Sequence, residues 1–346
     1  MGDHAKLSRR GRSRVVILLL ASLVLVTPLV SVVYGAANVT AAEAFGVVAS
    51  HLGVGGEPTW DRMTEAIVWQ NRMPRVLTAI GVGAVLGVSG VALQAMVRNP
   101  LAEPYVLGIS SGASFGAGVA IIVIGVTNAV LTAGAAFVGA LLATVLVLVV
   151  GGVRGGSPLQ LILAGLAIGF LFQAGTNLVI FSARTAETAQ SVVFWSLGSL
   201  TRAGWPEVGL VLMTATLITA GLWLAGPILD ALASGDSTCL AVGVNPAHAR
   251  LALLIPASAA IGITVAVAGG IGFVGLVVPH LMRAVVGQAH RALVICSALA
   301  SAVFLAAADA FARTVFSPME LPIGVITGLV GAPFLLLLVG RMRDTR

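Results

Sequence analysis

The chain is expected to be all-α and to cross a membrane about ten times, with both ends on the cytoplasmic side. Three observations predict this. Hydrophobic residues make up 58% of the 346 and charged residues only 9%, where soluble domains hold roughly half and a quarter, and mean hydropathy is +1.05. The apolar residues fall in runs near twenty long, enough to cross a hydrocarbon core of about 30 Å. The 19 Lys and Arg flank those runs instead of sharing a polar face, which is how a membrane protein is oriented and not how nucleic acid is bound.

The elements follow in order. Residues 1–14 are a basic tail (Lys6, Arg9, Arg10, Arg12, Arg14) ahead of the first apolar run, Val15 to Val33. That run, about nineteen residues, exceeds the 7–15 of a signal-peptide core, so a retained first span is expected, although small residues stand at 34–37. The segment 36–72 is polar, with turn signals at Gly53, Gly55, Gly56 and Pro58. It is the longest outside stretch and is expected to carry short surface helices. Its Asn38-Val39-Thr40 matches a glycosylation sequon, a motif too short to carry weight.

Further spans are predicted near 75–95, 106–125, 129–150, 160–181, 207–225, 251–268, 272–289, 292–310 and 322–340, so that 15–340 forms one membrane domain with a short tail at 341–346. Gly81, Gly83, Gly87, Ser89 and Gly90 stud the second span, letting neighbouring helices approach closely. Assigning alternate loops to alternate sides puts Arg62, Arg72, Arg75, Arg184, Arg202 and Arg313 outside and the other 13 of the 19 basic residues inside, which supports cytoplasmic termini. Between the sixth and seventh spans the loop 226–251 holds two short helical patterns, Ile228 to Ser234 and Asp236 to Val242. Gly235 separates them, and Gly243 and Asn245-Pro246 stop the second. No inverted repeat is legible.

Several chemistries are excluded. The sole lysine is Lys6, so the chain cannot hold a phosphate loop ending in Gly-Lys-Ser/Thr. No zinc-protease, nucleophile-elbow or paired-aspartate pattern appears, so no catalytic residue and no metal site is expected. A proton- or sodium-coupled carrier keeps an ionisable group at mid-membrane. No Asp, Glu, Lys or Arg falls in the centre of a predicted span, and Glu103, Asp309 and Glu320 sit in breaks or near ends. His280 is the one candidate for a buried titratable group, and it is expected to donate to a backbone carbonyl freed by Pro279. Cys239 and Cys296 are expected to be free thiols.

Three blocks carry a resemblance: RMPRVLTAIGVGAVLGVSGVALQAMVRNPLAEPYVLGISSGA from Arg72, GGIGFVGLVVPHLMR from Gly269, and ELPIGVITGLVGAPFLLLLV from Glu320. Their order and content resemble the FecCD family, permease subunits of type II ABC importers for ferric siderophores, haem and cobalamin. The resemblance implies a multi-pass subunit of the bacterial cytoplasmic membrane, surrounded by lipid, in which two copies enclose one pathway. It implies a cytoplasmic ATPase dimer that carries the ATP and magnesium, no cofactor in this chain, and an extracytoplasmic substrate-binding protein. Ferric siderophore is the first expected substrate because it is the commonest in the family, ahead of haem and cobalamin.

Carried over residue by residue, the resemblance makes Asp230, Gly235, Asp236, Ala241, Gly243, Val244 and Asn245 part of the loop that docks on the ATPase. Leu240 stands where the family usually has a basic residue. Arg72 and Arg313 would pair with glutamates on the binding protein's lobes, with Arg75 structural. Asn99 and Leu101, with Ser157, Pro158 and Leu159, would form a cytoplasmic gate across a two-fold axis. Pro158 and Leu159 depart from the small hydroxyl residues common there, and Asn99-Pro100 also serves simply to turn the chain. The alternative class is a secondary transporter or exporter without an ATPase, which has no use for the 226–251 loop and needs a mid-membrane carboxylate. A membrane scaffold would leave both the loop and the gate-like turns unexplained.

Overall fold

The computed structural model describes residues 2–35, 37–54, 59–152 and 158–343, and among them every regular element is a helix. The order is α1 (Gly2–Ser31), α2 (Ala41–His51) and α3 (Arg62–Glu65), which runs through a π segment, Ala66–Arg72, into α4 (Met73–Met96). A 3-10 turn, Pro104–Leu107, leads into α5 (Ile109–Gly118) and its π extension Val119–Ile124. Then come α6 (Ala129–Gly151), α7 (Pro158–Phe181), α8 (Ala186–Ser196), α9 (Trp205–Leu224), α10 (Gly226–Ser234), α11 (Asp236–Ala241) and α12 (Pro246–Ala268). The chain closes with α13 (Val274–Val286), α14 (His290–Thr314) and α15 (Ile323–Arg343).

Seven of these helices are long and apolar enough to cross a membrane. Three shorter apolar ones, Ile109–Ile124, Val274–Val286 and Ile323–Leu338, stand where the remaining three spans were expected. The basic tail is not separate from the first span, since α1 begins at Gly2. Arg and Lys are good helix formers and, Gly11 apart, nothing in that stretch interrupts the pattern. Two short helices occupy the 36–72 segment, as expected. Thr40, the sequon's last residue, is the N-cap of α2 in a capping box with Glu43. Bonds from the Thr40 amide and hydroxyl hold the Glu43 carboxyl below its ordinary range. Helix α8 was not expected: it is capped by Thr185 and buries only Val192 and Trp195, too short and polar to register as a span.

The bundle is built around α4, which is buried along nearly its whole length against α14, α9, α13 and α12. Glycine decides how close these helices come. A Cβ at Gly90 would lie 2.0 Å from the Gly275 carbonyl oxygen, so only glycine lets α4 touch the start of α13. By contrast α1, α6 and α7 expose rows of Leu, Val and Phe, among them Leu18, Leu25, Val138, Phe170 and Phe181.

Helix α13, with 13 residues, reaches only about 20 Å, short of the ~30 Å core. The irregular backbone 269–273 therefore lies within the thickness of the bundle, where its polar groups must be satisfied by protein. Tyr105 Oη accepts from Ile271 N at 2.9 Å. Glu103 Oε1 accepts from Phe273 N, and Gln94 Nε2 donates to Gly275 O at 3.3 Å and to Ala102 O at 3.3 Å. Phe273, a left-handed residue at φ 69°, caps α13 in this grip. The first and second signature blocks are thus clamped together: the turn after α4 holds the break before α13.

Candidate functional site

Three clusters lie at the two ends of the bundle. At the end carrying α2 and α3, the π segment delivers Arg72 beside the C-terminus of α1. Arg72 donates to the carbonyls of Val32 (2.8 Å), Val33 (3.1 Å) and Ala37 (2.6 Å). Arg75, one turn on, donates through Nε to Asp309 (2.8 Å) and through Nη1 to Glu320 (2.7 Å). Arg313 Nε sits 3.1 Å from the other Asp309 oxygen as an ion pair, and its Nη2 donates to Ser31 Oγ at 2.6 Å. Asp309, fully buried, is the hub that spans the α4–α14 contact.

Arg72 and Arg313, expected to pair with glutamates of a binding protein, are buried here with partners inside the chain. They are 3% and 2% exposed, because carbonyls at the end of α1 and the Asp309 carboxylate supply the partners their guanidinium groups need. They do come together, as part of the wall of an open pocket of about 500 Å³ that Gln70, Asn71, Met63 and Glu320 also line. Arg75 is structural, as expected.

At the opposite end, α10 and α11 form the two short helices of the 226–251 loop. Gly235 breaks them at φ 119°, a backbone that favours glycine. Asn245 caps α12, accepting from Ala247 N at 3.0 Å and His248 N at 3.2 Å. Asp230 and Asp236, both partly exposed, each brace the loop against a neighbouring helix. Asp230 accepts from the His290 backbone N (3.1 Å) and faces its ring Nδ1 (2.6 Å), tying α10 to α14. Asp236 pairs with Arg250 on α12 and lies 3.9 Å from Arg98. Val244 is half-buried, its amide bonded to Cys239 O at 2.8 Å. The tip of the loop, 240–243, is exposed and apolar or small: Leu240 (63% exposed), Val242 (62%), Ala241 and Gly243; Ser234, Ser237 and Asn245 are exposed beside it. Cys239 is buried, and burial with the neighbouring Asp236 charge pushes its thiol up, so it is an inert residue.

The third cluster is the turn after α4. Asn99 Oδ1 accepts from Leu101 N at 2.9 Å, so Asn99 closes its own turn, with Leu101 half-buried. Pro158 begins α7 and Leu159 is exposed in its first turn. Ser157 lies outside the described residues. Sequence reasoning missed the partners that hold these elements: Glu103, Tyr105, Gln94, Arg98, Arg250 and His290. It also misjudged His280, whose Nδ1 has no hydrogen-bond partner among the described residues and whose ring meets Phe334 edge-on at 6.0 Å. The Gly275 carbonyl, four residues before Pro279, accepts instead from Gln94 Nε2.

Comparison with known proteins agrees with this architecture. Residues 23–341 match the FecCD transport family. The hemin transport system permease protein of Yersinia pestis is 39% identical over 288 residues, covering 81% of this chain and 85% of that protein. The Fe(3+)-citrate import system permease protein of Bacillus subtilis (strain 168) is 33% identical over 331 residues, 96% of each. A solved structure described as an inward-facing conformation of a metal-chelate type ABC transporter superposes with a TM-score of 0.81 at 30% identity, covering 94% of this chain and 98% of that one. With a family match along nearly its whole length and the helices to cross a bilayer, this chain belongs to the FecCD transport family and is a multi-pass permease of the cytoplasmic membrane.

Proposed function

We propose that two copies of this chain form the pathway of an ATP-driven importer that takes an iron chelate, first among them a ferric siderophore, into the cytoplasm. Haem and cobalamin are the alternative cargoes. The observation that carries this function is the α10–α11 loop. A chain otherwise shaped to sit in lipid projects two short helices with an apolar tip, braced from behind by Asp230–His290 and Asp236–Arg250. A tip of that kind is a docking surface for another protein, and a separate ATPase is the partner a permease without a nucleotide loop needs. The likeness to permeases named for hemin and ferric citrate supports the chelate class. Asn99 and Leu101, with Ser157, Pro158 and Leu159, would narrow the cytoplasmic mouth between the two copies.

Energy coupling gives the first test. Among the described residues no carboxylate stands free at mid-membrane to carry protons: Asp309 is consumed by two arginines near the end of α14, and Glu103 holds a backbone amide. In vesicles with internal ATP held constant, a protonophore is expected to leave uptake of a ferric siderophore unchanged, and removal of ATP to abolish it. Uptake that stopped with the proton gradient at constant ATP would favour a secondary carrier.

Docking of the binding protein is assigned to the pocket walled by Arg72 and Arg313. Because those arginines are structural members, reversing their charge would damage the fold as well as the site. The exposed rim residues Gln70 and Asn71 give a cleaner variant. Gln70→Glu with Asn71→Glu places two negative charges at the mouth, and a partner's carboxylates should then bind roughly tenfold more weakly, with the deficit shrinking as salt is raised. Unchanged affinity at low salt would move the docking site elsewhere.

A further inference from the structure

The turn that carries Asn99 and Leu101 and the loop with the apolar tip are joined by one charged contact. Arg98 opens the turn in a left-handed conformation, φ 53°, which costs a non-glycine residue about a kcal/mol or more. That backbone ends α4, with Arg98 N bonded to Ala95 O at 3.4 Å and Asn99 N to Gln94 O at 3.1 Å, and the side chain reaches α11. Its Nη2 lies 3.9 Å from Asp236 Oδ1, the same oxygen that Arg250 holds from α12. Gly235 completes the fit: a Cβ there would sit 3.6 Å from Arg98 Nη1 and would meet a φ of 119°, so the guanidinium passes beside bare backbone. Asp236 is therefore held on one side by the helix that leaves the loop and on the other by the turn of the pathway.

We propose that Arg98 is the positioning residue through which movement of the α10–α11 loop reaches the pathway turn. The inference rests on the docking role given to that loop. The linkage continues beyond Arg98 by bonds already described. Five residues along, Glu103 holds the amide of Phe273, and Tyr105 holds that of Ile271. A displacement of Asp236 thus acts on a single unit made of the turn after α4 and the break before α13. The Arg98–Asp236 pair is solvent-touched, with both side chains about two-fifths exposed, so it adds little to stability. A contact that contributes little to the fold, yet joins the docking loop to the pathway turn, fits a transmission role. Arg250 differs: only 17% exposed, it holds the loop's own shape.

The test uses the purified complex of the permease and its ATPase in proteoliposomes, with Leu101→Cys as a reporter. Cys239 and Cys296 are both buried, so maleimide labelling reads the new thiol. In the parent, trapping the ATPase with ATP and vanadate should change the labelling rate of Leu101→Cys by roughly fivefold or more. In Arg98→Gln that response should vanish while the ATPase still co-purifies and still binds nucleotide, and Arg98→Lys should restore most of it. A full response in Arg98→Gln overturns the proposal. So does loss of the ATPase from Arg98→Gln, which would make Arg98 a docking contact. Failure of the loop's docking role shows separately, as an ATPase that stays bound when the Leu240–Val242 tip is charged.

Discussion

Replacing Leu240 and Val242 together by Glu is expected to strip the ATPase from the purified permease without disturbing the membrane helices. Both side chains are largely exposed and belong to no internal cluster, so the substitutions remove nothing that holds the chain together. If each is buried against the partner, their loss costs about 1.5 kcal/mol or more apiece, and desolvating two carboxylates adds to it. A total near 3 kcal/mol is roughly a hundredfold in affinity, enough to lose the ATPase during purification. Deleting Asp236 to Val242 should have the same effect more completely, but it also orphans Arg250 and is read with Arg250→Gln to remove that charge. Co-purification in stoichiometric amount after either change, with transport intact, would show that the tip is not the docking surface.

Asp309→Ala is expected to be the most destabilising single substitution at the opposite end. Asp309 has no solvent exposure and faces Arg75 and Arg313, which are themselves buried. Its removal leaves two buried guanidinium groups with Glu320 as the one remaining carboxylate of the cluster. Breaking a buried pair from one side costs about 3–5 kcal/mol, since the stranded charge keeps its desolvation cost. The measurement is the unfolding midpoint and the monodisperse yield in detergent, which should both fall sharply. Asp309→Asn keeps the shape and an acceptor oxygen and should fall less. A midpoint within error of the parent would mean that the arginines find other partners or water, and that the α4–α14 contact rests on glycine and serine packing alone.

Local chemistry was legible in the sequence where one stretch decides its own structure. Runs of about twenty apolar residues located the long spans, because a backbone in hydrocarbon has few choices beyond a helix. Gly235 and Asn245-Pro246 located α10 and α11 to within a residue or two, because a positive φ and an N-cap are properties of single positions. The small residues of the second span announced close helix contacts, and Gly90 makes one against Gly275.

The sequence by itself determined the class, the helical spans and the paired-helix loop, all from periodicity, length and local turn chemistry. Tertiary structure alone decided what the charged residues do. Arg75 meets Asp309 across 234 positions, Glu103 meets Phe273 across 170, and Arg72 meets the end of α1 across 40. An arginine at a helix end has the same local pattern whether its head faces water, a partner or a buried carboxylate. Which it faces depends on the groups that the packing of other helices brings within about 3 Å, and in a low-dielectric bundle an unpaired charge costs enough to enforce that pairing.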